Sequence, residues 1–232
     1  GGNPLHPEYP HYYQAPFEPL GVIEEYTRPV RLRENGRNIT RRPFTDDPEL
    51  VDLEYERFMQ KQDSDYLYEQ DLQLYAFETD GCRTLLDSFP DVDLVEKTIR
   101  FDAHYSLMSD LAAAGFFEKE HIKNTASVLL PKWKTEPSDR DFLYMKIECK
   151  KDNEKVTWEM FDQWTDGVSA MARTTGYSTT AVAKLILEDE LTETGIIPPE
   201  KVIGSNKTRL NSILAHLEER GIKYTRSEEL DG

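Results

Sequence analysis

The sequence has little cysteine: Cys82 and Cys149 are the only two among 232 residues, and they stand far apart. That excludes a disulfide framework and a Cys-x-x-Cys zinc site. It fits a reducing compartment, so a cytoplasmic location is expected. The five histidines, His6, His11, His104, His121 and His216, form no His-x-x-x-His pair. The one His-x-Glu, His6-Pro7-Glu8, lies in an irregular segment, so no metal is expected. Positive charge is also scarce. With 28 Lys+Arg against 44 Asp+Glu the formal charge is −16, which makes nucleic acid and anionic membranes poor partners. No apolar run approaches the length needed to cross a bilayer, and no segment reads as a signal peptide. No Gly-x-Gly-x-x-Gly follows a strand, so no dinucleotide-phosphate cradle is expected. Internal repeats and low-complexity tracts are missing too.

What is present centres on Leu72–His104. Leu72, Leu74, Ala76 and Glu78 alternate with Gln73, Tyr75 and Phe77, the period of a strand. Thr79-Asp80-Gly81 breaks it as a tight turn. Arg83–Phe89 has the length of about two helical turns, and Val92–Phe101 returns as a strand. This arrangement gathers Asp80, Arg83, Thr84, Lys97, Arg100 and His104 around strand ends.

Gly1–Pro19, rich in Pro, Gly, His and Tyr, reads as an irregular entry segment. Gly1-Gly2-Asn3-Pro4 looks like the middle of a loop, so a fragment of a longer polypeptide is expected. Gly21–Arg42 reads as a hairpin: Val22–Thr27 and Val30–Arg33 are extended, and Asn35-Gly36 is the turn. The basic residues of Arg28–Arg42 alternate with apolar ones and read as a solvated strand face. Phe44–Asp71 is an acidic insert, ten acids against Arg57 and Lys61, a net of −8 that is half the total. Within it a helix over Glu49–Gln60, capped by Asp46 or Asp47, is expected. The insert is either a solvated surface or an acidic docking surface.

Further on, Tyr105–Ala114 and Lys119–Leu130 have helical spacing. Phe142–Cys149 and Val156–Phe161 alternate as a hairpin across a polar turn, Lys150–Lys155. Val168–Glu188 is a dense run of small residues suited to a closely packed helix. Arg173 inside it requires a carboxylate or phosphate partner. Thr208–Arg220 reads as an amphipathic helix closed by Gly221, and Ile222–Thr225 as a short final strand.

Several motifs taken together resemble the saccharopine dehydrogenase-like enzymes, especially the lysine 6-dehydrogenase branch. They are Gly1-Gly2-x-Pro4, Gly21-Val22-Ile23-Glu24-Glu25-Tyr26-Thr27-Arg28-Pro29 and Thr79-Asp80-Gly81-x-Arg83-Thr84-Leu85-Leu86. Glu96-Lys97-Thr98-Ile99-Arg100 with His104, Ala170-Met171-Ala172-Arg173-Thr174-Thr175-Gly176 and Gly195-x-x-Pro198-Pro199-Glu200 complete the set. The chain departs from the family's usual Pro-Gly-His at Asp102-Ala103-His104, and its acidic spacer is longer.

The resemblance implies an α+β domain on a mixed, largely antiparallel sheet with helices on one face. Residues 1–167 would bind substrate and dimerise, and 168–204 would be a helical return segment packed on a Rossmann domain absent from the chain. Residues 205–232 would add a terminal helix and short strand. It implies oxidation of an amine to an imine, hydride passing to NAD or NADP, and hydrolysis of the imine. The substrate would be a lysine- or saccharopine-like amino acid or a polyamine derivative. Arg83, Arg100 and Arg173 are candidates for the substrate carboxylate, and Asp80 or Glu25 for its ammonium, with Thr84 beside them. His104, with Lys97, would handle protons, and Thr174 and Thr175 would touch the cofactor. Against each role stands a structural alternative: Arg83 pairing with Asp80 or Asp87, Lys97 and Arg100 as solvated strand-end charges, His104 as a helix cap, and Thr174-Thr175 as helix packing. A second class of function, a non-catalytic scaffold with a vestigial pocket and an acidic docking surface, remains open. On the enzyme reading, the chain alone reduces no NAD(P)⁺.

Overall fold

The computed structural model describes residues 2–4, 13–15, 19–51, 73–135 and 141–230. The chain divides into two compact units between Asp139 and Arg140, with Gly2 grouped with the second. The division falls ahead of residue 167 because the hairpin that starts at Asp141 shares its core with the helices that follow. Leu143 and Met160 pack with Ala170, Leu217 and Ile222.

In the first unit, helix α1 (Pro19–Glu25) occupies the segment expected to be extended. Val22, Ile23 and Tyr26 are all but fully buried. Spacings of one, three and four place them on one helical face, and that burial outweighs the strand preference of β-branched residues. Strands β2 (Val30–Glu34) and β3 (Arg37–Arg41) form the expected hairpin, its register running to Glu34↔Arg37. Asn35 and Gly36 take φ of 50° and 71°, the left-handed pair that a two-residue turn of this hand requires. The Asp93 carboxylate accepts both turn amides, at 2.9 and 2.8 Å. The basic face of this hairpin is not simply solvated. Arg33 is 5% exposed and donates to the carbonyls of Phe89 (2.5 Å) and Leu86 (2.7 Å), at the end of a short helix whose last carbonyls lack intrahelical partners.

Strands β4 (Glu49–Val51), β5 (Leu74–Glu78) and β6 (Lys97–Phe101) make an antiparallel sheet in that order. Glu49–Val51 is thus extended rather than the start of a helix, because pairing with Leu74–Ala76 satisfies its backbone. Residues 52–72, with most of the acidic insert, lie outside the described residues. The short helix α2 (Leu85–Ser88) links β5 to β6, and α3 (Asp102–Ala113) starts directly from β6, three residues before the expected Tyr105. Helix α4 (Ile122–Leu129) follows. Tyr13, Ile23, Tyr26, Phe77, Met108 and Trp133 belong to the core between them.

The second unit carries the long hairpin β7 (Asp141–Lys151) and β8 (Glu154–Gln163). Its turn is only two residues long, not the polar stretch expected, because Asp152 accepts the left-handed φ of 52° and lets the ladder reach Lys151↔Glu154. Helix α5 (Ala170–Leu187), a π-helical turn (Glu200–Gly204), helix α6 (Lys207–Glu218) and strand β9 (Tyr224–Leu230) follow. The sheet order is β1-β7-β8-β9, with β1 (Gly2–Pro4) and β9 at its two edges. Among the described residues the architecture is α+β with antiparallel pairing in every registered strand pair.

Candidate functional site

A buried polar network sits where α1, β6 and α3 meet in the first unit. Arg100, 2% exposed, projects from β6 and engages a neighbour with each of its three guanidinium nitrogens. Nη2 donates to Glu25 Oε2 at 2.6 Å, Nε to the Tyr26 hydroxyl at 3.2 Å and Nη1 to the Ile99 carbonyl at 2.8 Å. Burial works against its charge, yet the phenols of Tyr26 and Tyr13 and the Glu25 carboxylate outweigh that and raise its pKa. Tyr26 lies 2.8 Å from His104 Nε2. An arginine can only donate, so the Tyr26 oxygen accepts from Arg100 and its own proton is available to His104. Tyr13 stacks on the His104 ring at 3.9 Å, with Trp133 at 5.5 Å from the same ring. Burial pushes both phenols up, Tyr13 well above its ordinary value. Glu25 keeps 30% of its side chain exposed and is the member of this group nearest to solvent.

Next to it, the β5–α2 turn holds a second cluster. The Asp80 side chain is 3% exposed, and Arg31 grips it twice, Nε to Oδ1 at 2.9 Å and Nη2 to Oδ2 at 3.0 Å. Arg83 Nη1 stands 3.6 Å from the same Oδ2. Burial raises the Asp80 carboxyl, but the hydrogen bonds from Arg31 prevail and hold it below the usual range. Thr79 donates to Glu96 Oε2 at 2.5 Å and lies 2.7 Å from the Thr98 hydroxyl. Glu96 is pushed up, chiefly by burial and further by Glu25. Gly81 leaves room for the Glu96 carboxyl, which would have to shift if a Cβ were added there.

A family model for the saccharopine dehydrogenase C-terminal domain matches residues 1–222. The chain belongs to that family. Among solved structures, it is similar to apo histidine-tagged saccharopine dehydrogenase (L-Glu forming) from Saccharomyces cerevisiae, with a TM-score of 0.65 and 14% identity. That likeness covers 99% of this chain and 65% of the yeast chain, so this chain spans just under two thirds of its structural relative.

The remaining motif residues of this saccharopine dehydrogenase C-terminal domain lie elsewhere. Lys97 is three residues from Arg100 on β6, hence on the opposite face, and pairs with Glu49 at 2.5 Å. It does not join His104. Thr84 precedes α2, is exposed and makes no side-chain cap bond. His104 is the third residue of α3 and not its cap, which is Phe101. Arg173 belongs to the second unit. It is 8% exposed and donates to Asp162 at 2.9 and 3.3 Å and to the Arg220 carbonyl at 2.8 Å, so its carboxylate partner is internal. Thr174 donates to the Ala170 carbonyl at 2.8 Å and Thr175 to Met171 Sδ at 3.8 Å, each within its own helix. Sequence reasoning missed Tyr13, Tyr26, Arg31 and Glu96 as site members. Tyr26 and Glu96 were inside the quoted motifs, adjacent to Glu25 and Lys97, and a helical reading of α1 would have separated Tyr26 from the solvent face.

Proposed function

We propose that the chain is the substrate-binding and dimerising part of an NAD(P)-dependent amino acid dehydrogenase of the lysine 6-dehydrogenase type, acting on a lysine- or saccharopine-like amine in the cytoplasm. Such a reaction oxidises the amine to an imine by hydride transfer, and water hydrolyses the imine. The observation that carries the reading is the line Glu25–Arg100–Tyr26–His104, a partly exposed carboxylate joined through a buried cation and a phenol to an imidazole. Arg100 fixes Glu25 and Tyr26 instead of binding substrate. Glu25 holds the substrate ammonium. Where the Tyr26 oxygen takes a proton from the substrate amine, its own hydroxyl proton passes to His104 Nε2, so the phenol stays neutral and the imidazole, whose ordinary range spans neutrality, ends as the base.

The nicotinamide supplies the hydride acceptor when bound, but the residues expected to touch it do not fit a dinucleotide cradle. The Thr174 and Thr175 hydroxyls are engaged on their own helix, and no glycine-rich loop follows a strand. On this reading a Rossmann domain provides the cofactor site. A second copy covers the exposed apolar positions Met145 and Ile147 of β7, which light scattering tests as a doubled mass.

The test is a reduced-nicotinamide absorbance assay with L-lysine or saccharopine and either cofactor. The 232-residue chain alone is expected to be silent, and the chain joined to a family Rossmann domain is expected to turn over. His104→Gln in the joined protein should lower kcat by about 100-fold or more, the usual scale of general acid–base catalysis. Turnover by the isolated chain would refute the cofactor argument, and full activity of H104Q would refute the role of the imidazole.

A further inference from the structure

We propose that Tyr13 is a positioning residue for His104: the face of its ring fixes the imidazole and steadies the positive charge that the imidazole takes on during turnover. The inference rests on the dehydrogenase reading above, in which His104 ends as the base. It adds the residue that makes an imidazolium tolerable at that place. When the Tyr26 hydroxyl proton passes to Nε2, the ring becomes a cation while only 1% exposed to solvent. A second cation stands close by, because the Tyr26 oxygen that lies 2.8 Å from His104 also accepts from Arg100 at 3.2 Å. The carboxylate of this line, Glu25, is already engaged by Arg100 at 2.6 Å. What lies against the imidazole is aromatic.

Tyr13 lies nearly parallel to the His104 ring, with centroids 3.9 Å apart and planes inclined by 22°. Aromatic faces are negative, so a cation stacked on one is attracted to it, and more strongly where water is excluded. The Arg100 guanidinium carbon is 5.3 Å from the centre of the same Tyr13 ring, so one phenol serves both cations of the line. Tyr26 and Trp133 stand farther from the imidazole, at 5.7 and 5.5 Å, and are tilted to it by 54° and 60°. Trp133 meets Tyr13 edge-on at 5.2 Å and buttresses it. The backbone fastens this arrangement. The Ala15 amide donates to the Trp133 carbonyl at 2.8 Å, and the fully buried Gln14 donates through Nε2 to the Lys134 carbonyl at 3.4 Å. The segment that carries Tyr13 is thereby tied to the chain just beyond α4, which keeps the ring on the imidazole. An aliphatic side chain could fill the same space but has no negative face to offer.

The test makes Tyr13→Phe in the 232-residue chain and then fluorinates that phenylalanine in steps (mono-, di-, trifluoro). These rings nearly match in shape, so folding is kept, while their faces lose negative charge stepwise. NMR of the His104 ring nitrogens reads the pH at which the imidazole is half protonated. Its titratable neighbours, Arg100 on β6 and Glu25 and Tyr26 from the α1 segment, are the same throughout, so the ring face is the variable. That pH should fall along the series, by about half a pH unit from Tyr13→Phe to the trifluoro ring, the scale of one cation–π contact. In the chain joined to a Rossmann domain, kcat should fall by about threefold over the same series, the same half unit expressed as a rate. KM should stay put, because a buried Tyr13 does not meet the substrate. A ring that only packs would leave both readouts flat. A half-protonation pH that is level or rises along the series, or a KM that climbs at constant kcat, would overturn the proposal. Absence of turnover in the joined wild type would sink the dehydrogenase reading instead, and the NMR series would still decide whether Tyr13 steadies the imidazolium.

Discussion

Glu96 carries a carboxylate at a place where burial disfavours its charge, a cost that hydrogen bonds from the Thr79 hydroxyl and the Gly81 amide only partly offset. Its pKa in the folded chain is raised above that of the unfolded chain. The folded state therefore holds the proton more tightly, and Glu96 subtracts stability as pH rises from the ordinary glutamate range through its folded value. Glu96→Gln should remove that component. Urea midpoints measured from pH 4 to pH 7 (about the window in which carboxylates of this kind titrate) should fall more steeply with pH in the wild type than in E96Q. Parallel curves would mean that the carboxyl is not held protonated by its surroundings. Gly81 is tied to the same residue, since its missing Cβ is the space the Glu96 carboxyl occupies. From sequence alone Gly81 was legible as a turn residue, but its closeness to the Glu96 carboxyl was not, because that contact lies fifteen positions away.

Helix α5 shows how an element is anchored by charges that its own sequence only half announces. Its Arg173 predicted an anionic partner, and one is found: Arg173 is paired with Asp162 of β8, each side chain at most 10% exposed. The close packing expected of the small residues is not found: Ala172, Thr175, Ser178, Thr179 and Ala183 are exposed, and a Cβ at Gly176 would meet nothing within 4 Å. At the helix start, the Asp141 carboxylate accepts the Ala170 and Met171 amides at 2.6 and 3.1 Å, and Ser169 accepts that of Ala172. These are the orphan donors that every helix N-terminus must satisfy. Removing Arg173 leaves Asp162 buried and unpaired. Arg173→Met should cost about 3 kcal/mol or more in chemical unfolding, whereas a loss under about 1 kcal/mol would show that Asp162 simply takes a proton. The α1 segment teaches the opposite lesson. Val22, Ile23 and Tyr26 carry strand-forming side chains, yet the surface they bury together is that of a helix.

At the scale of the whole molecule, charge is the dominant feature: −16 in formal terms, half of it within 44–71. Like charges at this density repel one another more in the compact state than in the open chain. Added salt screens such repulsion, with a Debye length of about 10 Å at 0.1 M. Thermal melts should therefore rise on going from low to moderate sodium chloride. A falling Tm would show that surface pairs such as Lys97–Glu49 and Arg209–Glu193 outweigh the net repulsion. The sequence by itself determined the family, the α+β class, the two hairpins with the Asn35-Gly36 turn of the first, and the identity of most charged residues near the site. Local patterns suffice for these, because turn chemistry and side-chain period act over a few residues. Only the tertiary structure decided which arginines are spent and which are offered. Arg100 and Arg173 are sealed by Glu25 and Asp162, while Arg31 and Arg83 flank one buried carboxylate with their outer edges in solvent. A guanidinium looks the same in every sequence; its partners come from strands and helices far along the chain, and burial alone settles whether it has donors left to give.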